Sequence, residues 1–254
     1  MSRTKNFASL FIFAVFFLGS MSAVTKPDFS GVYKMKFPPE GYVDANGKPS
    51  INLGNLDGSS GRLPHEPALT KEYLKKWQEI SKKRIAGDTS TDYIAKCLPP
   101  GMPDMMLLYS IYKLEVMQTK DKITIWTGHN DAYRRIYLDG RKPLQRNFDA
   151  PSYEGYSTGQ WEGDTLVVDT VAIAGLTYID EISFSPHSDQ MTVKERIRFI
   201  GPGLLEDHIT VTDPLALSKP WEVKRIYNKQ QFSQQQRDDE TESAVCAEGL
   251  YEAK

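Results

Sequence analysis

Cysteine and histidine are scarce in this chain of 254 residues, which holds two of the first and four of the second. With no CxxC spacing and so few histidines, a structural zinc centre lacks its ligands. No GxSxG elbow, HExxH helix, glycine-rich phosphate loop or dinucleotide fingerprint is present, so serine-hydrolase, zincin and nucleotide chemistry lose their usual motifs. "DANG" at 44–47 shares little with a calcium loop, because the spaced acids and the terminal glutamate are missing. Charge of one sign is lacking too. Lys and Arg total 31 against 33 Asp and Glu, a net charge of −2, which gives nucleic acid nothing to hold. No motif calls for a metal or a cofactor.

Long apolar runs are also missing, with one exception. Arg3 and Lys5 precede "FASLFIFAVFFLG", and small residues follow in "SMSA". That order is the signature of a secretory signal peptide, and the run is short for a membrane span. We expect residues 1–23 to be removed, residues 24–254 to form one β-barrel-like domain with no stable membrane span, and the location to be periplasmic or extracellular. In an oxidising compartment the pair Cys97 and Cys246 is expected to bridge, tying "CLPPGMP" to the C-terminal tail.

What the chain has in quantity is period-two alternation. "DFSGVYKMKF" reads as a first strand, and residues 37–108 as an irregular and helical insertion. Within it, Leu69, Tyr73, Trp77 and Ile80 recur at helical spacing, with Thr70 as N-cap and basic residues in the last turn. From Tyr109 onward, short alternating segments follow one another: "YKLEVMQT", "KITIWTGH", "AYRRIYL", "GYSTGQW", "TLVVDTVAI", "MTVKERIRFI", "LLEDHITVTD" and "WEVKRIYNKQ". Turn signals stand between them, notably "DG" at 139–140, "EGD" and "GPG". The fold class is all-β: an antiparallel meander of about nine strands closing into a lipocalin-like barrel or a strongly curled sheet, with a β-sandwich as the alternative.

Charged residues interrupt several otherwise apolar faces. Glu195 lies between Val193 and Ile197, Arg134 shares a face with Ile136, and Arg225 falls between Val223 and Tyr227. Asp169 lies between Val167 and Val171, although the opposite face of that segment is apolar as well. A lone buried charge costs several kcal/mol, so inward charges must pair or line a wet cavity. Two readings stay open: an ion-pair network that fixes strand register, or a polar patch in a pocket where arginine holds an acidic or carbonyl group and a carboxylate moves a proton. His187, in the loop before the Glu195 strand, and His129, beyond Ile123 and Ile125, are the histidines placed to join such a patch. The catalytic candidates are Glu195, His187 and Asp169; the ligand-binding candidates are Arg134, His129, Tyr137, Trp161 and Arg225.

"CLPPGMP", "RRIYLDGR", "GQWEGDTLVVDT", "HSDQMTVKERIR" and "VTDPLALSKPW" together resemble a large family of secreted bacterial proteins, mostly uncharacterised in activity, over about residues 28–246. The resemblance implies secretion and no particular chemistry. A weaker resemblance is to lipocalin-like (calycin) barrels, in which a Gly-x-Trp on the first strand packs against an arginine on the last. Here Gly31 and Tyr33 stand at that point and Arg225 is the arginine, which the resemblance makes structural. The expected function is a secreted barrel that binds or acts on a small hydrophobic or aromatic compound, with cofactor-free lyase, isomerase or hydrolase chemistry if it is an enzyme. The alternative is a non-catalytic periplasmic ligand-binding or envelope interaction protein.

Overall fold

Nine strands close on themselves. The structure, a computed structural model, describes residues 26–36, 65–107, 112–142 and 151–231; the expected signal peptide, the "DANG" stretch, Cys246 and the C-terminal tail lie outside them. The strands are β1 (Gly31–Met35), β2 (Lys113–Gln118), β3 (Lys122–Thr127), β4 (Tyr133–Tyr137), β5 (Tyr156–Glu162), β6 (Thr165–Val171), β7 (Thr192–Gly201), β8 (Leu204–Thr212) and β9 (Trp221–Lys229), hydrogen-bonded in sequence order with β9 returning to β1. All nine follow the alternating segments. The all-β barrel is therefore the observed fold, with one α-helix, α1 (Lys71–Ile85), among the described residues.

One junction departs from a pure antiparallel meander. A ring of strands that alternate in direction needs an even number, so nine strands force one parallel neighbour. That neighbour pair is β4 and β5, joined over only two residue pairs, Ile136 with Ser157 and Tyr137 with Thr158. Asp139-Gly140 accordingly bends the chain, with Gly140 at φ +77, without making a hairpin. "EGD" and "GPG" do make hairpins, β5–β6 and β7–β8.

The connections sort by end. Tight turns join β2–β3, β5–β6 and β7–β8 at one end, where Phe29 packs on Trp161 at 5.3 Å and edge-on to Phe199 at 5.1 Å between ring centres. The longer segments 65–107, 172–191 and 213–220 lie at the other. Helix α1 starts at Thr70, whose ψ of 166° is extended, and buries Tyr73 and Trp77. The Trp77 indole nitrogen donates to the Ser183 carbonyl at 2.7 Å, which docks the helix on segment 172–191. Met102, Met105, Met106 and Leu107 from "CLPPGMP" and the turn after it enter the main core, and the Tyr227 hydroxyl donates to the Met106 carbonyl. No described helix is long and apolar enough to cross a membrane.

Gly155 shows how tightly the β5 entry is built. Its φ is +66, and an added Cβ would lie 2.7 Å from both Ile173 Cγ1 and the Val171 carbonyl oxygen. Gly155→Ala should cost about 1 to 3 kcal/mol, read as a lowered urea midpoint at unchanged m-value; an unchanged midpoint would show that the entry to β5 tolerates a side chain.

Candidate functional site

Alternation carries the inward charges. On β4, Arg134 and Ile136 point in while Tyr133 and Arg135 are exposed; on β7, Val193, Glu195 and Ile197 are buried between exposed Lys194, Arg196 and Arg198. Glu195 and Arg134 meet inside the barrel through two parallel bonds of 2.8 Å each, Nη1 to Oε1 and Nη2 to Oε2. Nη2 also reaches the Ser157 and Thr170 hydroxyls at 3.1 and 3.3 Å. Burial works against the Arg134 charge, but the Glu195 carboxylate and its hydrogen bonds outweigh it and hold the guanidinium protonated.

Asp207 was missed, although the alternation test that finds Glu195 also finds it, between Leu205 and Ile209 on β8. It is fully buried and stands across from Arg225 on β9. Burial, and then the charge of Glu195, push its carboxyl well above the usual carboxylate range, with Arg134 pulling the other way. Its neutral form is the one this interior favours. Arg225 is equally buried and donates from Nη1 to the Lys224 carbonyl at 3.0 Å. On the ladder Tyr33 stands opposite Lys229, and the Tyr33 hydroxyl donates to the Phe29 carbonyl at 2.9 Å.

The other candidates do not join this layer. Asp169 points outward and pairs with exposed Lys194 at 3.3 Å; both faces of β6 are apolar, and the inward one is Leu166, Val168 and Thr170, which lie across from Ile197, Glu195 and Val193. His187 is buried in segment 172–191, with Nδ1 at 2.9 Å from the Ser188 carbonyl and Nε2 at 3.5 Å from the Thr177 hydroxyl. Burial lowers its pKa, which keeps it neutral, with Nδ1 as the donor. His129 lies past the end of β3, where Gly128 and Asn130 take the chain off the ladder. Its ring stacks on Tyr112 at 4.3 Å, outside the cavity lined by Ile123 and Ile125. Trp161 packs against Phe29 at the tight-turn end. Glu195, His187 and Asp169 thus share no cavity, and no acid–base constellation forms among them.

Two cavities among the described residues bear on this site. The interior one, lined by Tyr33, Leu166, Ile197, Asp207 and Tyr227 among others, measures about 20 Å³, room for about one water molecule. The second measures about 440 Å³, within the range of small-molecule sites. It is a cleft on the outer wall beside the two-pair β4–β5 junction, where Arg134 fills the splay from within. Tyr133, Arg135, Tyr137, Glu154 and Tyr156 line it with Pro99 and Asp131. The Tyr137 and Tyr156 rings are 5.3 Å apart. Arg141, paired with Asp139, lies 3.7 Å above the Tyr137 ring centre, and Arg135 lies 4.8 Å from that of Tyr133. Burial raises the Glu154 carboxyl, against smaller opposing effects of its own backbone N–H and Arg134. Among the sequence candidates, only Arg134 and Tyr137 belong to the cleft. Glu154 sits in the approach to β5, where no periodicity marks it.

No metal-binding group of three or more ligating side chains occurs among the described residues, and no described cysteine is free; Cys246, the expected partner of Cys97, lies outside the described residues. Compared with protein families and with curated proteins, the chain matches none. Among solved structures, a point mutant of the fluorescent protein UnaG is similar over 48% of this chain and 73% of its own, at 17% identity and a TM-score of 0.29. A likeness that slight carries no argument about fold or ligand, and the barrel rests on its own closed ladder.

Proposed function

We propose that this chain is a secreted small-molecule-binding barrel whose ligand, a flat apolar or aromatic compound, sits in the cleft at the β4–β5 junction. The observation that carries the reading is the contrast in room: about 440 Å³ beside the junction against about 20 Å³ inside. The interior charges then serve as scaffold. Arg134 and Glu195 satisfy one another and hold β4 and β7 in register around the splay, leaving the tyrosines of β4 and β5 as the walls of the site. Acid–base catalysis by Glu195, His187 and Asp169 has no geometric support, and the reading is of a binder. Secretion, signal cleavage near residue 23 and the Cys97–Cys246 bridge belong to the same proposal. Loss of a crosslinked peptide on reduction would identify the bridge.

Calorimetric titration with a panel of planar aromatic phenols, carboxylates and amines tests the site. At least one compound should bind, and Tyr156→Ala should weaken it about tenfold by removing one aromatic wall, while Ile123→Val inside the barrel leaves it unchanged. A binder that ignores Tyr156→Ala and responds to Ile123→Val would move the site back into the interior.

A further inference from the structure

The charges around the cleft can be paired off. Arg134 belongs to Glu195 through two hydrogen bonds, and Arg141 to Asp139. At the rim, Arg135 and Asp131 carry opposite charges. Glu154 is left over. It is half-buried, lines the cleft, and makes no ion pair among the described residues. The rings near it already show what they accept: two of the three tyrosines, Tyr133 and Tyr137, carry a guanidinium over their faces.

The geometry points to Glu154 as the anchor of a planar organic cation, of amidine or guanidine class, held in the cleft beside its tyrosines. This rests on the small-molecule reading of the same cleft and narrows it to one charge class. Burial costs this carboxylate more than its own backbone N–H and Arg134 return; a planar cation would add two hydrogen bonds in a fork while its ring covers apolar wall. Arg135, which lines the same cleft and lies over the Tyr133 ring, is exposed and therefore screened. The groups that line the cleft with Glu154 are Arg134, Arg135 and Asp131 with Tyr133, Tyr137 and Tyr156. Binding of a cation should weaken as pH falls and Glu154 takes up its proton.

Three isosteric probes separate the claims: benzamidine, benzamide and benzoate, each titrated against the parent and against Glu154→Gln at pH 7.5 and pH 5. Benzamidine should bind the parent at least tenfold tighter than benzamide, the advantage should shrink at pH 5, and Glu154→Gln should abolish that advantage while leaving the melting temperature unchanged. Benzoate as the tightest probe, or a benzamidine affinity indifferent to Glu154→Gln, overturns the inference. If benzamide binds with Tyr156 dependence and no probe is favoured by charge, the small-molecule site stands and the cation assignment falls. If no probe binds, both fall.

Discussion

Arg134→Ala will destabilise the barrel by about 3 to 5 kcal/mol, because it takes from the fully buried Glu195 carboxylate the guanidinium that holds it through two hydrogen bonds. For a domain of this size that is a fall in melting temperature on the order of 10 °C. Glu195→Gln should cost a comparable amount, since it strands the guanidinium instead. The informative variant is the double replacement Arg134→Met with Glu195→Leu. Removing both charges removes the desolvation cost as well, so the pair of changes should be much less damaging than the sum of the single ones, and urea denaturation of all four proteins gives the coupling directly. Additive losses would mean that the two side chains act independently and that the fork between them contributes little.

Acid will destabilise the protein through His129. Its ring is buried against Tyr112, neither ring nitrogen has a hydrogen-bond partner among the described residues, and burial brings its pKa from 6.5 down to about 4, with Asp92 opposing weakly. A folded pKa below the unfolded one means that the unfolded chain takes up a proton first. Stability is therefore intact above pH 6.5, falls as pH drops from 6.5 toward 4, and by pH 4 has lost about 3 kcal/mol on this account alone. His129→Phe keeps an aromatic ring for the stack and has nothing to protonate. The stability difference between pH 7 and pH 4 should shrink by about 3 kcal/mol in that variant, measured by urea denaturation at each pH. The same difference in variant and parent would show that His129 is protonated without cost in the folded state.

The strands were legible because nearly every one has one buried and one wetter face, and period-two alternation survives without any knowledge of partners. Strand direction was not legible: Arg134 and Ile136 alternate with Tyr133 and Arg135 whether β5 runs with β4 or against it, and only the closure of an odd-membered ring forces the parallel junction. Asp169 shows where alternation fails. Val167 on its outward face is itself buried, so both faces of β6 read as core. His129 was placed in the barrel by extending the β3 pattern past Thr127, where Gly128 and a positive φ at Asn130 end it. Asp207 was within reach of the test that found Glu195. Glu154 was not, because a loop residue gains its surroundings from what folds beside it, here the wall of β4 and the start of β5.

The most direct test of the account is chemical-shift mapping of the isotope-labelled protein with the tightest compound from the aromatic panel. The account predicts that the backbone signals of Tyr133, Tyr137, Glu154 and Tyr156 move on titration while the interior methyl groups of Ile123, Leu166 and Ile197 stay where they are. Movement of those interior methyls with a silent cleft would place the ligand inside the barrel and contradict the reading of Arg134 and Glu195 as scaffold.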